Sequence, residues 1–334
     1  VNKPAVAIIQ GHGEPPLYEL SQVFTELSVL YSVSSYTLTD TADIPPEYRT
    51  IAIVRPTDTI PQSHFSKLDD FLARGGNIFI AFNRVEGDFQ TSTGKAVNTG
   101  LEDWLRQKGL TVSDNFVIDA SCSSVNVQQQ QGNFVFSSQV SFPYLPVINR
   151  FADNPATKGL ESVILQFASP MTFTGDSTKR FTPVAFTSEK SGTERAPLYF
   201  DVQRQWTERD FPLSGLVVAG VLEGRLAGNS ESRIMVVSDG DFAVTGSRRG
   251  SQLPQDNINL FVNSVDWLSD NTGLIDLRTK EITSRPIKEL AEGTRSLLKW
   301  LNFLLPIILV IVYALFRMQV NRNKRIKRME VSYE

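Results

Sequence analysis

Only one cysteine, Cys122, occurs in the 334 residues. No disulfide can form within the chain. Two histidines, His12 and His64, complete the set of soft ligands. A zinc site of the usual Cys/His type therefore lacks ligands, and no metal is expected. The Ser-His-Asp and Cys-His catalytic sets are equally short of parts. Neither G-x-C-x-G nor G-x-S-x-G, the turns that raise a nucleophile above a sheet, is present. A Walker motif is missing too, so this chain does not itself hydrolyse ATP. Neither charge sign dominates, with 33 Lys and Arg against 36 Asp and Glu. The bulk of the chain lacks the basic stripe that nucleic-acid binding needs. A mean hydropathy of -0.14 excludes a polytopic membrane protein. The chain begins at Val1 rather than Met, which reads as a trimmed or processed chain.

One long apolar run is present. Trp300 to Phe316 reads WLNFLLPIILVIVYALF, 17 residues without a charge. As a helix it spans about 25 Å, close to the hydrocarbon layer of a bilayer. Lys299 and Arg317 can snorkel at its ends, and Trp300 and Tyr313 suit the interfaces. Pro306 removes one helical hydrogen bond and leaves the Asn302 carbonyl in need of a partner, which predicts a kink. Arg317, Arg322, Lys324, Arg325, Lys327 and Arg328 follow with no acid between them. The positive-inside rule puts this tail in the cytoplasm and residues before about 295 in the periplasm. Upstream, Ile287, Leu290, Ala291, Thr294, Leu297 and Leu298 keep helical spacing and predict an amphipathic juxtamembrane helix.

The remaining sequence alternates buried strands with amphipathic helices. AVAII (5–9), TIAIV (50–54) and NIFIAF (77–82) are short Val/Ile-rich runs. Between them lie a helical pattern from Leu17 to Leu30 and a helix after Pro61. The latter carries Phe65, Leu68, Phe71 and Leu72 on one face and ends at Arg74-Gly75-Gly76. This predicts an α/β parallel-sheet domain covered on both faces. From about residue 120 the pattern becomes β-rich. Gln128–Gln131 followed by Gly132-Asn133 reads as a hairpin turn. The α/β pattern returns with LVVAGVL (216–222), RIMVVS (233–238) and a helix over 257–268. The expected segments are 1–120 (first α/β part), 121–212 (β-rich insertion) and 213–284 (completing part). The juxtamembrane helix takes 285–299, the transmembrane helix 300–318 and the basic cytoplasmic tail 319–334.

In open α/β sheets ligands sit beyond the carboxyl ends of the strands. Gly11-His12-Gly13-Glu14 follows the first strand and Ser238-Asp239-Gly240-Asp241 follows the last. His12, Glu14, Asp239 and Asp241, joined by Asn83, are the candidate pocket for a ligand or a partner loop. The bland readings stand beside this. Asp-Gly-Asp also makes an ordinary Asx-turn, and His12 also serves as a hydrogen-bonded structural residue. His64, at the start of a helix, reads as solvated. Cys122 reads as a small packed residue, and no catalytic residue is assigned.

Several stretches carry a resemblance. They are IIQGHGEPP, LDDFLARGGNIFIAFN, GLEDWLRQKGLTVSDNFVIDASC and FPYLPVINRFADNPATKGLESVILQFASPMTF. RIMVVSDGDFAV and DNINLFVNSVDWLSDNTGLIDLRTKEITSRPI complete them in the same order. Together these resemble the GldG-like auxiliary components of ABC transporters, in the gliding-motility-associated branch of Bacteroidota. The resemblance covers most of residues 4–287. It implies a domain related to the class I glutamine amidotransferase-like (flavodoxin-like) fold without its catalytic Cys. It implies a membrane permease and a cytoplasmic ABC ATPase as partners, and a link to gliding motility and type IX secretion. A permease and ATPase pair would suggest two copies of this chain. A stretch that often reads His-Pro in the family is Asn154-Pro155 here.

The reading is a non-enzymatic auxiliary or recognition subunit, anchored in the inner membrane by one C-terminal span, with no cofactor of its own. A membrane-tethered amidotransferase-like hydrolase and a structural scaffold of a secretion or motility machine are the alternatives.

Overall fold

A computed structural model describes residues 3–131, 134–245, 252–270 and 292–330. It divides into two units, Val1–Thr283 and Ser284–Glu334.

The first unit opens with β1 (Ala5–Gln10), a short 3-10 turn at Leu17–Leu20, α1 (Ser21–Leu30) and β2 (Ser32–Thr37). Next come β3 (Tyr48–Val54), α2 (Gln62–Ala73) and β4 (Asn77–Ala81), then β5 (Val85–Asp88), β6 (Thr93–Ala96) and α3 (Leu101–Gln107). The middle of the chain is strand-rich: β7 (Leu110–Val112), β8 (Asn115–Asp119), β9 (Cys122–Gln131), β10 (Phe134–Ile148), β11 (Arg150–Phe151) and β12 (Val163–Ile164). It continues with β13 (Met171–Phe173), β14 (Lys179–Phe186), β15 (Ser191–Arg195) and β16 (Leu198–Tyr199). Finally β17 (Val217–Gly224), β18 (Ser232–Val237) and α4 (Gln255–Ser269) return to the centre.

The main sheet has eight strands in the order β11-β14-β17-β18-β4-β3-β1-β2. β2, β1, β3, β4 and β18 run parallel, while β17, β14 and β11 extend the sheet antiparallel. The chain order within the parallel part is that of a doubly wound sheet, with its reversal between β1 and β3. β11 and β14 come from residues 121–212, so that strand-rich stretch contributes directly to the main sheet.

Period-two alternation divides the strand residues between two cores. Val6, Ile8, Ala52, Val54, Phe79, Met235 and Val237 face α1 and α4. Ala7, Ile9, Ile51, Ile53, Ile78, Ile80, Ile234 and Val236 face α2 and α3. Each strand is buried on both sides, which is why these runs are continuously apolar. Burying one such Ile or Val contributes about 1.5–3 kcal/mol. A third cluster, around Phe116, Phe142, Tyr144, Phe167 and Phe200, holds the strand-rich part.

α2 ends as its sequence requires. The amide of Gly75 donates to the Leu72 carbonyl (2.9 Å) and that of Gly76 to the Phe71 carbonyl (3.0 Å). This is a Schellman motif, and Gly75 supplies the left-handed φ of 84° that it needs.

The Gln run is not a turn. Gln128–Gln131 lies within β9 and pairs antiparallel with residues 134–137 of β10. Period-two pairing simply carries on through the glutamines. The expected turn residues, Gly132 and Asn133, lie outside the described residues.

The second unit contains α5 (Glu292–Glu330), a single helix of 39 residues with Pro306 inside it. Its 18-residue apolar window has a mean hydropathy of 2.2, and none of it is buried. It is long and apolar enough to cross a membrane. The helix continues beyond 318, so the basic residues that the sequence suggests as a tail are helical through Glu330. Residues 285–291 of the expected juxtamembrane helix lie outside the described residues, and 292–299 belong to α5.

Candidate functional site at the carboxyl edge of the sheet

Because β1, β3, β4 and β18 are parallel neighbours, the chain leaves all four at one edge of the sheet. His12 and Glu14 follow β1, Arg55 follows β3, Asn83 follows β4, and Asp239 and Asp241 follow β18. The five residues expected from the sequence therefore share this edge, in two separate groups.

The first group centres on His12, which is 2% exposed. Gly11 and Gly13 flank it with φ values of 119° and 76°. The backbone turns so tightly that a Cβ on Gly13 would lie 2.0 Å from Thr57 Oγ1. The His12 amide donates to Glu14 Oε2 (2.6 Å), and His12 Nδ1 lies 3.0 Å from Glu14 Oε1. Its carbonyl accepts from the amides of Thr57 and Asp58, both at 2.9 Å. His12 Nε2 lies 2.7 Å from Nδ1 of His64, in the first turn of α2. One ring nitrogen donates to the other across this contact, and the tautomer sets the direction. The other ring nitrogen of His64 lies 3.5 Å from Asp40 Oδ1.

His64 is thus not the solvated residue that its place in the sequence suggests. Its side chain is only 12% exposed. Burial, and then the neighbouring His12, pull its pKa below the ordinary histidine value. The amino end of a helix also disfavours a cation there.

The second group joins β3, β4 and β18. Asp241 accepts from Arg55 Nη1 at 2.8 Å and from Asn83 Nδ2 at 2.7 Å. Asn83 Oδ1 accepts the Gly240 amide at 2.6 Å, and Arg55 Nη2 lies 3.7 Å from Glu19. Arg55 adopts a φ of 47°, unusual for a residue with a Cβ. Asp239 is fully buried and accepts the amides of Asp241 (2.7 Å) and Gln166 (2.6 Å). The Asp-Gly-Asp stretch is therefore an Asx-turn. Burial, and then the charge of Asp241, push the Asp239 carboxyl well above its usual range.

Among the described residues no hydrogen bond or ion pair joins the first group to the second; the backbone of residues 55–58 bridges them. Most polar atoms of this edge are spent on one another, the exception being the buried Arg55 Nε, which has no hydrogen-bond partner among the described residues. The geometry closes the ends of four strands together. Sequence reasoning did not identify His64, Arg55, Asp40 or Glu19 as members. The one available signal was position: Arg55 directly follows a buried strand of a parallel sheet.

Among the described residues no nucleophile is set against these imidazoles. Ser63 donates to Asp40 rather than to a ring nitrogen. Cys122 begins β9, and burial, followed by Asp119, pushes its thiol up.

At the opposite edge, where β3, β4 and β18 begin, lies a polar cleft of about 550 Å³. Arg49, Asn77, Lys179 and Arg233 line it, and Glu223 holds both Arg180 (3.0 Å) and Arg233 (3.3 Å). Nothing in the strand-end rule points to that edge.

On α5, Trp300 and Tyr313 are exposed, and Pro306 interrupts the ladder at the Asn302 carbonyl. Arg317 closes the apolar run. These are the expected anchor positions.

No curated protein sequence matches the chain significantly. Among solved structures, the mmIFT52 N-terminal domain is similar with a TM-score of 0.53 and 11% identity, covering 80% of this chain and 99% of that one. At that identity the likeness concerns the fold alone. A ThuA-like protein from Parabacteroides merdae ATCC 43184 gives a TM-score of 0.45, 12% identity, and coverage of 80% and 90%. The exo-beta-1,4-mannosidase Op5Man5 from Opitutaceae bacterium strain TAV5 gives 0.37, 11% identity, and coverage of 80% and 36%. Residues 3–269 match the profile of the family described as "ABC-type uncharacterized transport system", and the chain belongs to this family of auxiliary transport-system components.

Proposed function

We propose that this chain is a non-enzymatic, membrane-anchored recognition subunit of an ABC transporter. One pairing carries the reading: a transport-family domain over residues 3–269, and an apolar helix with none of its surface buried. A helix that apolar needs lipid or a membrane partner around it. The basic residues after Phe316 support an orientation with that end in the cytoplasm and the domain in the periplasm. The partners are a permease and a cytoplasmic ATPase, which binds the ATP. The doubly wound strand order supports a relation to the class I amidotransferase-like fold, with the catalytic turn replaced by polar closure.

Mechanistically, the ATPase shifts the permease between states and α5 transmits the shift. Pro306, with its unpaired Asn302 carbonyl, supplies a contact point for the permease. The edge bearing His12, Glu14, Asn83, Asp239 and Asp241 serves as the recognition face for a partner loop. The sequence resemblance supports a link to gliding motility and type IX secretion.

The test is purification of the tagged chain from its native membrane in mild detergent, followed by mass spectrometry. Stoichiometric recovery of a permease and an ATPase is expected. Recovery of the chain alone would overturn the transporter reading.

A further inference from the structure

We propose that the basic end of α5 is a collar that selects anionic phospholipids in the cytoplasmic leaflet. This rests on the anchor reading above. Arg317, Arg322, Lys324, Arg325, Lys327 and Arg328 are all exposed on one continuous helix. No Asp or Glu lies between Glu292 and Glu330.

Helical geometry fixes where the charges stand. At about 100° per residue, the six cations cover an arc of about 220°. The remaining arc, with Gln319, Asn323 and Ile326, carries none. A single partner surface faces one side of a helix, whereas headgroups surround it. An arc this wide therefore matches lipid rather than one acidic protein face.

The axial positions agree. From Arg317 at the end of the apolar run, Arg322 lies about 7.5 Å farther along the axis and Arg328 about 16 Å. The headgroup layer is about 5–8 Å thick on each side. The first two cations thus lie within it. The other four lie within roughly a Debye length, about 8–10 Å, of its outer surface. Because the segment is helical rather than a loose tail, the cations are held at those depths.

The test uses the full chain in phosphatidylcholine vesicles containing about one part in five of phosphatidylglycerol. The vesicles are floated, and the lipid retained around the chain after polymer extraction is quantified. Phosphatidylglycerol is expected to be enriched about threefold over the bulk bilayer, falling as salt rises. Replacing Arg322, Lys324, Arg325, Lys327 and Arg328 by Gln should return the ratio to about one, and exchanging the three arginines for Lys should preserve the enrichment. Flotation without enrichment overturns the collar alone. Undiminished enrichment in the Gln variant also overturns it, by assigning selection to another surface. Failure to float overturns both the anchor and the collar.

Discussion

Asp241→Ala separates a closed edge from an open pocket. The carboxylate holds Arg55 at 2.8 Å and Asn83 at 2.7 Å, tying the ends of β3 and β4 to the loop after β18. A charge-assisted hydrogen bond contributes about 1.5–3 kcal/mol. Here the lower end applies, because Arg55 and Asp241 are 30% and 21% exposed and Glu19 remains 3.7 Å from the guanidinium. The Asn83 amide, on a residue 8% exposed, loses its acceptor at about 1 kcal/mol more. Removing Asp241 also relieves its repulsion of buried Asp239, which offsets part of the loss. The net expectation is about 2 kcal/mol, a fall in Tm of roughly 4–5 °C for a unit this large.

Asp241→Asn should cost nearly as much, because its new NH2 must face either Arg55 or the Asn83 amide, and both are donors. Asn83 cannot turn to accommodate it, because its Oδ1 already accepts the Gly240 amide at 2.6 Å. The assay is thermal and urea unfolding of the detergent-solubilised chain. A double-mutant cycle with Asn83→Ala is expected to show coupling of about 1 kcal/mol. If Asp241→Ala lies within about 0.5 kcal/mol of wild type, the mutual-satisfaction argument is wrong, and these groups are free for a ligand.

The His64 pKa is lowered by folding, so the unfolded chain takes up this proton first as pH falls. Stability contributed by this group is therefore complete above the ordinary value of 6.5 and is lost as pH drops from there through the folded pKa, with a slope of at most about 1.4 kcal/mol per pH unit. His64→Gln keeps a hydrogen-bonding amide toward His12 and should flatten the urea midpoint between about pH 7.5 and 5.5; equal slopes in both proteins would refute the assignment. Gly13→Ala should destabilise by at least about 2 kcal/mol, from the left-handed φ and the collision with Thr57 Oγ1. Adding Thr57→Ala should recover the collision part and leave about 1 kcal/mol, as measured by denaturant midpoints. Maleimide labelling of Cys122 in the native chain should be at least about tenfold slower than in urea; rapid native labelling would revive a nucleophile reading.

The two-layered core was legible because its cause is local. A strand buried on both faces must be apolar at every position, and AVAII, TIAIV and NIFIAF announce this directly. The end of α2 was legible for the same reason, since only glycine relieves the left-handed φ at residue 75. The Gln run misleads because a polar tract before Gly-Asn has the composition of a turn. Glutamine fits a strand when its neighbours across the ladder supply backbone partners, and those partners lie outside the local sequence. The participation of β11 and β14 in the central sheet was hidden likewise, because both pair with strands distant in the chain.

The candidate site was legible in position but not in state. Parallel strands deliver their following residues to one edge, so His12, Asn83, Asp239 and Asp241 could be grouped without coordinates. Whether such groups await a ligand depends on partners that no motif encodes. Arg55 lies 186 residues from Asp241, and His64 lies 52 residues from His12. Once those partners are counted, the edge resembles a fastening more than an empty crevice. A fastening of this kind suits the proposed role, in which the domain holds its shape while a partner binds. In the proposed role a partner reads the same edge from outside through Asp40, whose side chain is 74% exposed, without opening the strands beneath it. Recognition by surface contact and rigidity by internal pairing are therefore compatible in one place, as the proposed role requires.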